Sequence, residues 1–273
     1  QMTGAAPEQR WPVPLVLKIG SAAGVREERV ILAGESAEVT LPGATWIFPN
    51  GGGAGFYRFA LDDGAITRLA AALATGLAPE ERLNLIGNQW ALLKAAVGNV
   101  GAFVTLIRGF AGEQDRAVLE AISQRLSWLE SHVLGDDDRS RFAELVTALF
   151  GPELAALSWD ARDGEPVDLR VKRAAVIGSL GHLAGDPAVL TEWRRRIDRF
   201  LQGRRLKNHP RKTFVAPTHA PAEFLGNRGD IRQAIHVQTE LRLGPQDALH
   251  RRVELRCANL TRLHRRLDTL ERQ

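Results

Sequence analysis

Cysteine is nearly absent: Cys257 is the only one in 273 residues. One thiol makes neither an internal disulfide nor a Cys-based zinc site, since each needs at least two. Cys257 therefore reads as a small buried or half-buried residue. Aromatic residues are scarce too, at 6%, with Tyr57 the single tyrosine. Few aromatics beside abundant Leu, Ala and Arg favour packed helices over a sheet-rich fold. No apolar run approaches the ~20 residues of a membrane-spanning helix, and no charged-then-apolar start resembles a signal peptide. A soluble protein, with the cytoplasm favoured, is the expectation.

Catalytic patterns are missing as well. A zinc hydrolase of the helical type needs two histidines four apart with a glutamate after the first, so that both imidazoles face one metal and the carboxylate reaches its water. No histidine here is followed by Glu: His132 precedes Val, His182 Leu, His209 Pro, His219 Ala, His236 Val, and His250 and His264 Arg. There is no G-x-S-x-G elbow and no histidine placed to serve Ser21, Ser127 or Ser179. Gly51-Gly52-Gly53 with Gly55 lacks the Lys-Ser/Thr pair of a phosphate loop and precedes the strand-like Phe56-Tyr57-Arg58-Phe59, so it reads as a flexible hairpin turn. Asp136-Asp137-Asp138 follows Gly135 and precedes a helix, where carboxylates cap exposed N–H groups, so capping outweighs metal binding. Arg194-Arg195-Arg196 reads as the solvated face of a helix. The expectation is a chain with no catalytic, cofactor-binding or metal-binding residue of its own.

What is present suffices for a sizeable core, at 44% hydrophobic and 25% charged residues. The net charge of +4 hides an asymmetry: residues 204–273 hold 15 Lys/Arg against 7 Asp/Glu and five of the seven histidines. The composition breaks near Gly203. The basic tail could meet an acidic partner or nucleic acid by charge alone, but it lacks the interleaved aromatics that stack single strands, so nucleic acid is not the expected ligand.

From Trp11 to about Leu61 the pattern is that of short strands, Val13–Leu17, Arg29–Leu32, Ala37–Leu41 and Thr45–Phe48, separated by turn residues such as Gly24, Gly34 and Pro42-Gly43. Pro12 and Pro14 push the first strand to a sheet edge or to the entry from a neighbouring module. After Asp62 the period changes to about 3.6. Val118, Ile122, Leu126, Leu129 and Val133 form one stripe, Phe142, Leu145, Val146, Leu149 and Phe150 a second, and Leu190, Trp193, Ile197, Phe200 and Leu201 a third. Pro79-Glu80-Glu81 and Asp186-Pro187 mark helix starts, and Gly98, Gly112, Gly135, Gly151 and Gly185 mark breaks. Short links between amphipathic helices imply antiparallel neighbours. In the tail, positions 249, 253, 256, 260, 263, 267 and 270 follow heptad spacing, which predicts a helix docked on the same chain or a short coiled coil.

The fold expected is mostly α: a small β-sandwich-like N-terminal module over 1–62, a solenoid-like stack of antiparallel helical hairpins over 63–203, and a basic helical tail over 204–273.

Three passages together resemble one family, the gluzincin-type zinc aminopeptidases that include aminopeptidase N and puromycin-sensitive aminopeptidase. The first is Trp46-Ile47-Phe48-Pro49-Asn50 with Gly55-Phe56-Tyr57-Arg58, similar to the W-x-x-x-N … G-x-Y-R segment with which that family leaves its β-sandwich. The second is Glu81-Arg82, Leu85-Ile86 and Gln89-Trp90-Ala91-Leu92. The third runs from Phe150-Gly151-Pro152 through Trp159, Gly164-Glu165-Pro166 and Arg170 to Gly181 and Gly185-Asp186-Pro187. The family usually places Asp where Asn88 stands.

The resemblance covers about Trp11 to Leu201. It implies the C-terminal portion of an aminopeptidase, whose helical domain covers the active site and shapes peptide binding, with the zinc-binding catalytic domain before Gln1. Tyr57 belongs to the β exit and does not inherit the family's transition-state role. Two explanations suit the break past Gln202: a divergent or truncated ending, or a reading-frame change with partly accidental periodicity. The alternative function is a free-standing helical module that binds a peptide or a protein on a concave helix face.

Overall fold

The computed structural model describes residues 12–205, together with the backbone of two strands at 234–243 and 249–258. The fold is mostly α: among the described residues, seven strands accompany eight α-helices. Contacts gather the chain into two compact units, divided between Gly109 and Phe110, with the strands at 234–258 belonging to the first.

The first unit opens with β1 (Val13–Ser21) and β2 (Gly24–Leu32), a hairpin in which Val13 faces Leu32 and Ser21 faces Gly24. β3 (Ser36–Pro42), β4 (Ala44–Phe48) and β5 (Arg58–Leu61) follow. One sheet has the order β2-β1-β4, which places β1 in the centre and not at the edge that Pro14 predicts. β4 reaches only Lys18–Ser21, so apart from a Val16–Asn50 bridge the proline half of β1 is paired on one side alone. A residue without an N–H is tolerated there.

Leu15, Leu17 and Ile19 alternate along β1 into the core, where Phe48 of β4 meets Phe59 of β5 edge to face at 5.5 Å. Trp46 fixes how closely this core closes. Its ring lies so near two glycines that a Cβ on Gly20 would sit 2.1 Å from it and one on Gly76 2.5 Å, inside van der Waals contact.

The change of period after Asp62 is the start of α1 (Asp63–Ala70), where the Asp62 carboxylate accepts the Ala65 N–H at 2.7 Å. A short α2 (Leu73–Gly76), α3 (Pro79–Lys94) and α4 (Val100–Arg108) complete the unit's helices. α1 and α4 approach so closely that a Cβ on Gly109 would stand 2.6 Å from the Ala70 carbonyl. Trp90 packs on Phe103, ring centres 5.4 Å apart.

The second unit holds α5 (Arg116–His132), α6 (Arg139–Leu157), α7 (Val167–His182) and α8 (Pro187–Arg205). α7 packs against α5, α6 and α8. The first two apolar stripes are core as expected, except Val133, which lies past the end of α5 and is exposed. The third is not core: Leu190 and Trp193 are half-buried and Ile197, Phe200 and Leu201 exposed, because among the described helices α8 packs chiefly on α7. Asp186 caps α8 as expected, accepting from the amides of Ala188 and Val189, with Pro187 the first helical residue.

Gly151-Pro152 does not break the chain; α6 runs through it. Leu149, Phe150 and Glu153 are buried on either side of the proline, and that packing outweighs its lost hydrogen bond. The aspartates 136–138 form a 3-10 turn, and Asp138 makes no side-chain cap because its backbone is helical, not extended. Asp136 pairs with Arg139 instead, at 3.0 Å.

The tail departs most from expectation. Within the tail expected to be helical the backbone forms β6 (Ala234–Leu243) and β7 (Leu249–Ala258), and β7 falls on the first three heptad positions. The reason is a competing period of two: Ile235, Val237, Leu241 and Leu243 alternate with His236, Gln238, Glu240 and Arg242, and Val253, Leu255 and Cys257 alternate with Arg252, Glu254 and Arg256. These strands complete a second sheet of order β3-β7-β6-β5. The heptad positions 260, 263, 267 and 270, and the remainder of 204–273 apart from Arg204 and Arg205 at the end of α8, lie outside the described residues.

Candidate functional site

Two clusters of buried polar side chains, one in each unit, include Asn50, Tyr57, Glu81 and Glu165 of the residues quoted for the family resemblance. The first is the joint between the β module and α3. Asn50 is fully buried and closes the glycine turn: its Oδ1 accepts the Gly55 N–H at 2.7 Å, and its Nδ2 donates to the Gly55 carbonyl at 3.1 Å and to Asn84 Oδ1 at 3.3 Å. Gly52 and Gly53 stand at φ +65° and +64°, a region that favours glycine. The turn expected to be flexible is thus tied down, with the Gly52 N–H bonded to Glu81 at 2.8 Å.

Glu81 lies on the first turn of α3 and is 1% exposed. Besides Gly52 it accepts from the Ala78 N–H at 2.7 Å, the reverse half of a capping box, and from the Lys18 ammonium at 2.6 Å. Burial works to raise its pKa, but the bonds from Lys18, Gly52 and Ala78 outweigh burial and hold it below the ordinary carboxylate value. A depressed folded-state pKa contributes stability above the unfolded-state value, and that contribution is lost as pH falls through the folded one. The stability gap between the native chain and Glu81→Gln, read from urea midpoints, is therefore expected to be widest near neutral pH. It should narrow steadily below about pH 4; a gap independent of pH would refute this role.

Tyr57 donates to the Pro49 carbonyl at 2.5 Å, and burial pushes its pKa up to about 12. It is a strut of the β exit. Asn88 occupies the position where the resemblance leads one to expect Asp. Its Oδ1 accepts the Phe59 N–H at 3.0 Å and its Nδ2 donates to the Phe59 carbonyl at 2.5 Å, so one amide satisfies both backbone groups of a buried strand residue. A carboxylate could not donate, which explains the amide here.

The second cluster fixes the segment between α6 and α7. Arg173 is buried and forks onto Glu165, with Nη1 bonding one carboxylate oxygen at 2.7 Å and Nη2 the other. It also donates from Nε to the Ser158 carbonyl at 3.0 Å and from Nη2 to the Leu157 carbonyl at 3.1 Å. Beside it Lys172 pairs with Glu153 of α6 at 2.5 Å, both buried. Arg196 holds the same segment from α8, bidentate on Asp160 at 2.6 and 2.9 Å and 5.1 Å from the centre of the Trp159 ring. The arginine run is therefore divided: Arg194 and Arg195 are exposed as expected, whereas Arg196 is a structural clamp. Arg173 and Arg196 escape sequence reading because their partners stand eight and 36 positions away without a recurring period.

Neither cluster is a metal centre. Among the described residues no group of three or more His, Cys, Asp or Glu side chains is placed to hold a metal ion, so the donor set does not fit the zinc of the aminopeptidases. His132 bonds the Trp128 carbonyl and stacks on that indole. Ser179 is engaged with Ser123 and the Ala175 carbonyl. A small pocket of the first unit is lined by Leu61, Gln89, Leu92 and Phe103. Among the described residues no helix is long and apolar enough to cross a membrane.

A β module joined by a buried polar hinge to amphipathic helices defines a helical domain entered from a β exit, and comparison with known proteins makes the class specific. The chain belongs to the ERAP1-like C-terminal domain family, whose model matches residues 46–218. It is 26% identical to puromycin-sensitive aminopeptidase of Caenorhabditis elegans over 199 residues, 71% of this chain and 20% of that protein. It is also 26% identical to aminopeptidase M1-A of Oryza sativa subsp. japonica over 213 residues, 74% of this chain and 24% of that protein. To the tricorn protease-interacting factor F2 of Thermoplasma acidophilum it is 25% identical over 191 residues, 68% of this chain and 23% of that protein. The chain thus spans about a fifth to a quarter of the length of the curated relatives it matches.

Proposed function

We infer that this chain is the C-terminal portion of a zinc aminopeptidase, in which the helical domain covers the active site and shapes the binding of a peptide substrate. The observation that carries this reading is the family match over 46–218, which begins at Trp46 in the β exit and passes through all eight helices. The names of two relatives, both aminopeptidases, support it. The helices of 63–203 are the part that meets the peptide, the β module of 1–62 is the spacer that sets them against a catalytic domain, and the location is a soluble, cytoplasmic one. Zinc and the hydrolytic chemistry belong to that catalytic domain, since the side chains described here offer no donor set for the metal.

Purified chain incubated with zinc and aminoacyl-coumarin substrates is expected to release no fluorophore above buffer; robust turnover at homogeneity would overturn the assignment. The native reading frame upstream of Gln1 supplies the independent check. An in-frame H-E-x-x-H helix is expected there, whereas a start codon near Met2 would support a free-standing binding module.

A further inference from the structure

Strand register in the second sheet carries an inference about a segment beyond the family match, which ends at residue 218. β3 and β5 belong to one sheet without touching. β7 pairs with β3 from Ser36–Arg256 to Pro42–His250, β6 pairs in parallel with β5 from Arg58–Ala234 to Leu61–Val237, and β6 and β7 pair with each other along their full lengths. The sheet order β3-β7-β6-β5 therefore leaves a slot two strands wide in the module, filled by residues 234–258.

The rows of that register match in chemistry as well as in length. In β3, Ala37, Val39 and Leu41 are sheltered while Ser36, Glu38, Thr40 and Pro42 are exposed, and in β5 Phe59 is buried. Rows through the sheltered positions take Ile235 and Cys257, Val237 and Leu255, Thr239 and Val253, Leu241 and Arg251 from the tail, six of the eight being apolar. The alternate rows, at Ser36, Glu38, Thr40 and Pro42, take His236 and Arg256, Gln238 and Glu254, Glu240 and Arg252, Arg242 and His250, none of them apolar. A slip of one residue would exchange the two sets. Two strands lying nearly 200 positions beyond β3 follow the in-and-out pattern that β3 and β5 impose, which an accidental out-of-frame ending has no reason to do.

We propose that the gap between β3 and β5 is a binding slot for a β-hairpin, and that residues 234–258 are its occupant, supplied by the same polypeptide. The arginines and histidines of this stretch are then sheet residues of the β module and not a free basic arm. β-strand addition gives such an occupant main-chain hydrogen bonds for affinity and the alternating rows for register.

The test uses the full chain with Cys257→Ser, so that introduced thiols are the only ones. Val39→Cys/Val253→Cys and Glu38→Cys/Glu254→Cys place cysteines in adjacent rows of the β3–β7 pair. Directly opposed residues alternate between hydrogen-bonded and non-hydrogen-bonded sites, so one of these pairs lies in the closer geometry. Val39→Cys/Glu254→Cys is the out-of-register control. Under mild oxidation, followed by non-reducing mass spectrometry, at least one in-register pair is expected to close within the monomer at ten times the yield of the control or more. Failure of both in-register pairs, yields equal to the control, or disulfides only between chains would overturn the proposal.

Discussion

Replacing Asn50 with alanine is expected to lower the stability of the first unit by about 3 kcal/mol, or roughly 15 °C in its unfolding temperature. The side chain is 0% exposed and supplies both partners of the Gly55 backbone. Truncation strands the N–H and the carbonyl of half-buried Gly55 together, at up to about 1–3 kcal/mol each, and leaves a cavity where the fully buried amide stood. Asn50→Asp separates the two halves of the effect. It keeps the acceptor for the Gly55 N–H, loses the donor, and sets a carboxylate against the Gly55 carbonyl and Asn84 Oδ1. At neutral pH Asn50→Asp is expected to be at least as damaging as alanine, and protonation in mild acid should restore part of the loss. Amide exchange followed on peptides over residues 46–61 and 79–94 locates the damage at the joint. Exchange unchanged there in both variants would show that the amide holds nothing.

Much of this joint is legible in sequence order, but not its wiring. Trp46, Asn50, Gly55, Tyr57 and Glu81 stand out as a spaced set. Their meaning is structural: Trp46 is clamped by Gly20 and Gly76, and Glu81 gathers Lys18, Gly52 and Ala78 from three different stretches. Periodicity reports which face of an element is sheltered, and so it finds the stripes of α5 and α6 correctly. It is blind to a buried carboxylate, whose place is decided by donors brought from distant stretches.

The tail shows the opposite failure. Seven positions at heptad spacing predict a helix seam with Arg256 interrupting it, and the same stretch satisfies a period of two from Val253 to Cys257. Over so short a span both templates fit, and what decides between them is pairing. β3 presents an edge on which Ala37 and Val39 face Leu255 and Val253, with Arg251 opposite Leu41 the exception, and that partner lies more than 200 positions away in sequence. A local window cannot contain it. Gly151-Pro152 is a milder case: a local breaking signal is overruled because Leu149, Phe150 and Glu153 are all buried.

Arg173→Ala is expected to cost the second unit about 3 kcal/mol, and Arg173→Lys most of the same. The guanidinium spans Glu165 and the carbonyls of Leu157 and Ser158 at once, and an ammonium cannot reproduce that planar fork. Hydrogen bonds from Arg173 hold Glu165 below its ordinary pKa, so the loss should be greatest near neutral pH and shrink in acid. Ser158 supplies the discriminating measurement, because its φ of +60° is one that a residue with a Cβ rarely adopts. Such a residue stores about 1–3 kcal/mol that the surroundings must hold in place. Ser158→Gly in the otherwise native chain is therefore expected to stabilise by about 1 kcal/mol. In the Arg173→Ala background it should yield almost nothing, since a released segment relaxes by itself. Urea midpoints of the four proteins close the cycle. Additive effects would mean that Arg173 merely fills space, whereas coupling between the two sites would show that the arginine holds the strained turn and, through it, the path of the chain from α6 into α7.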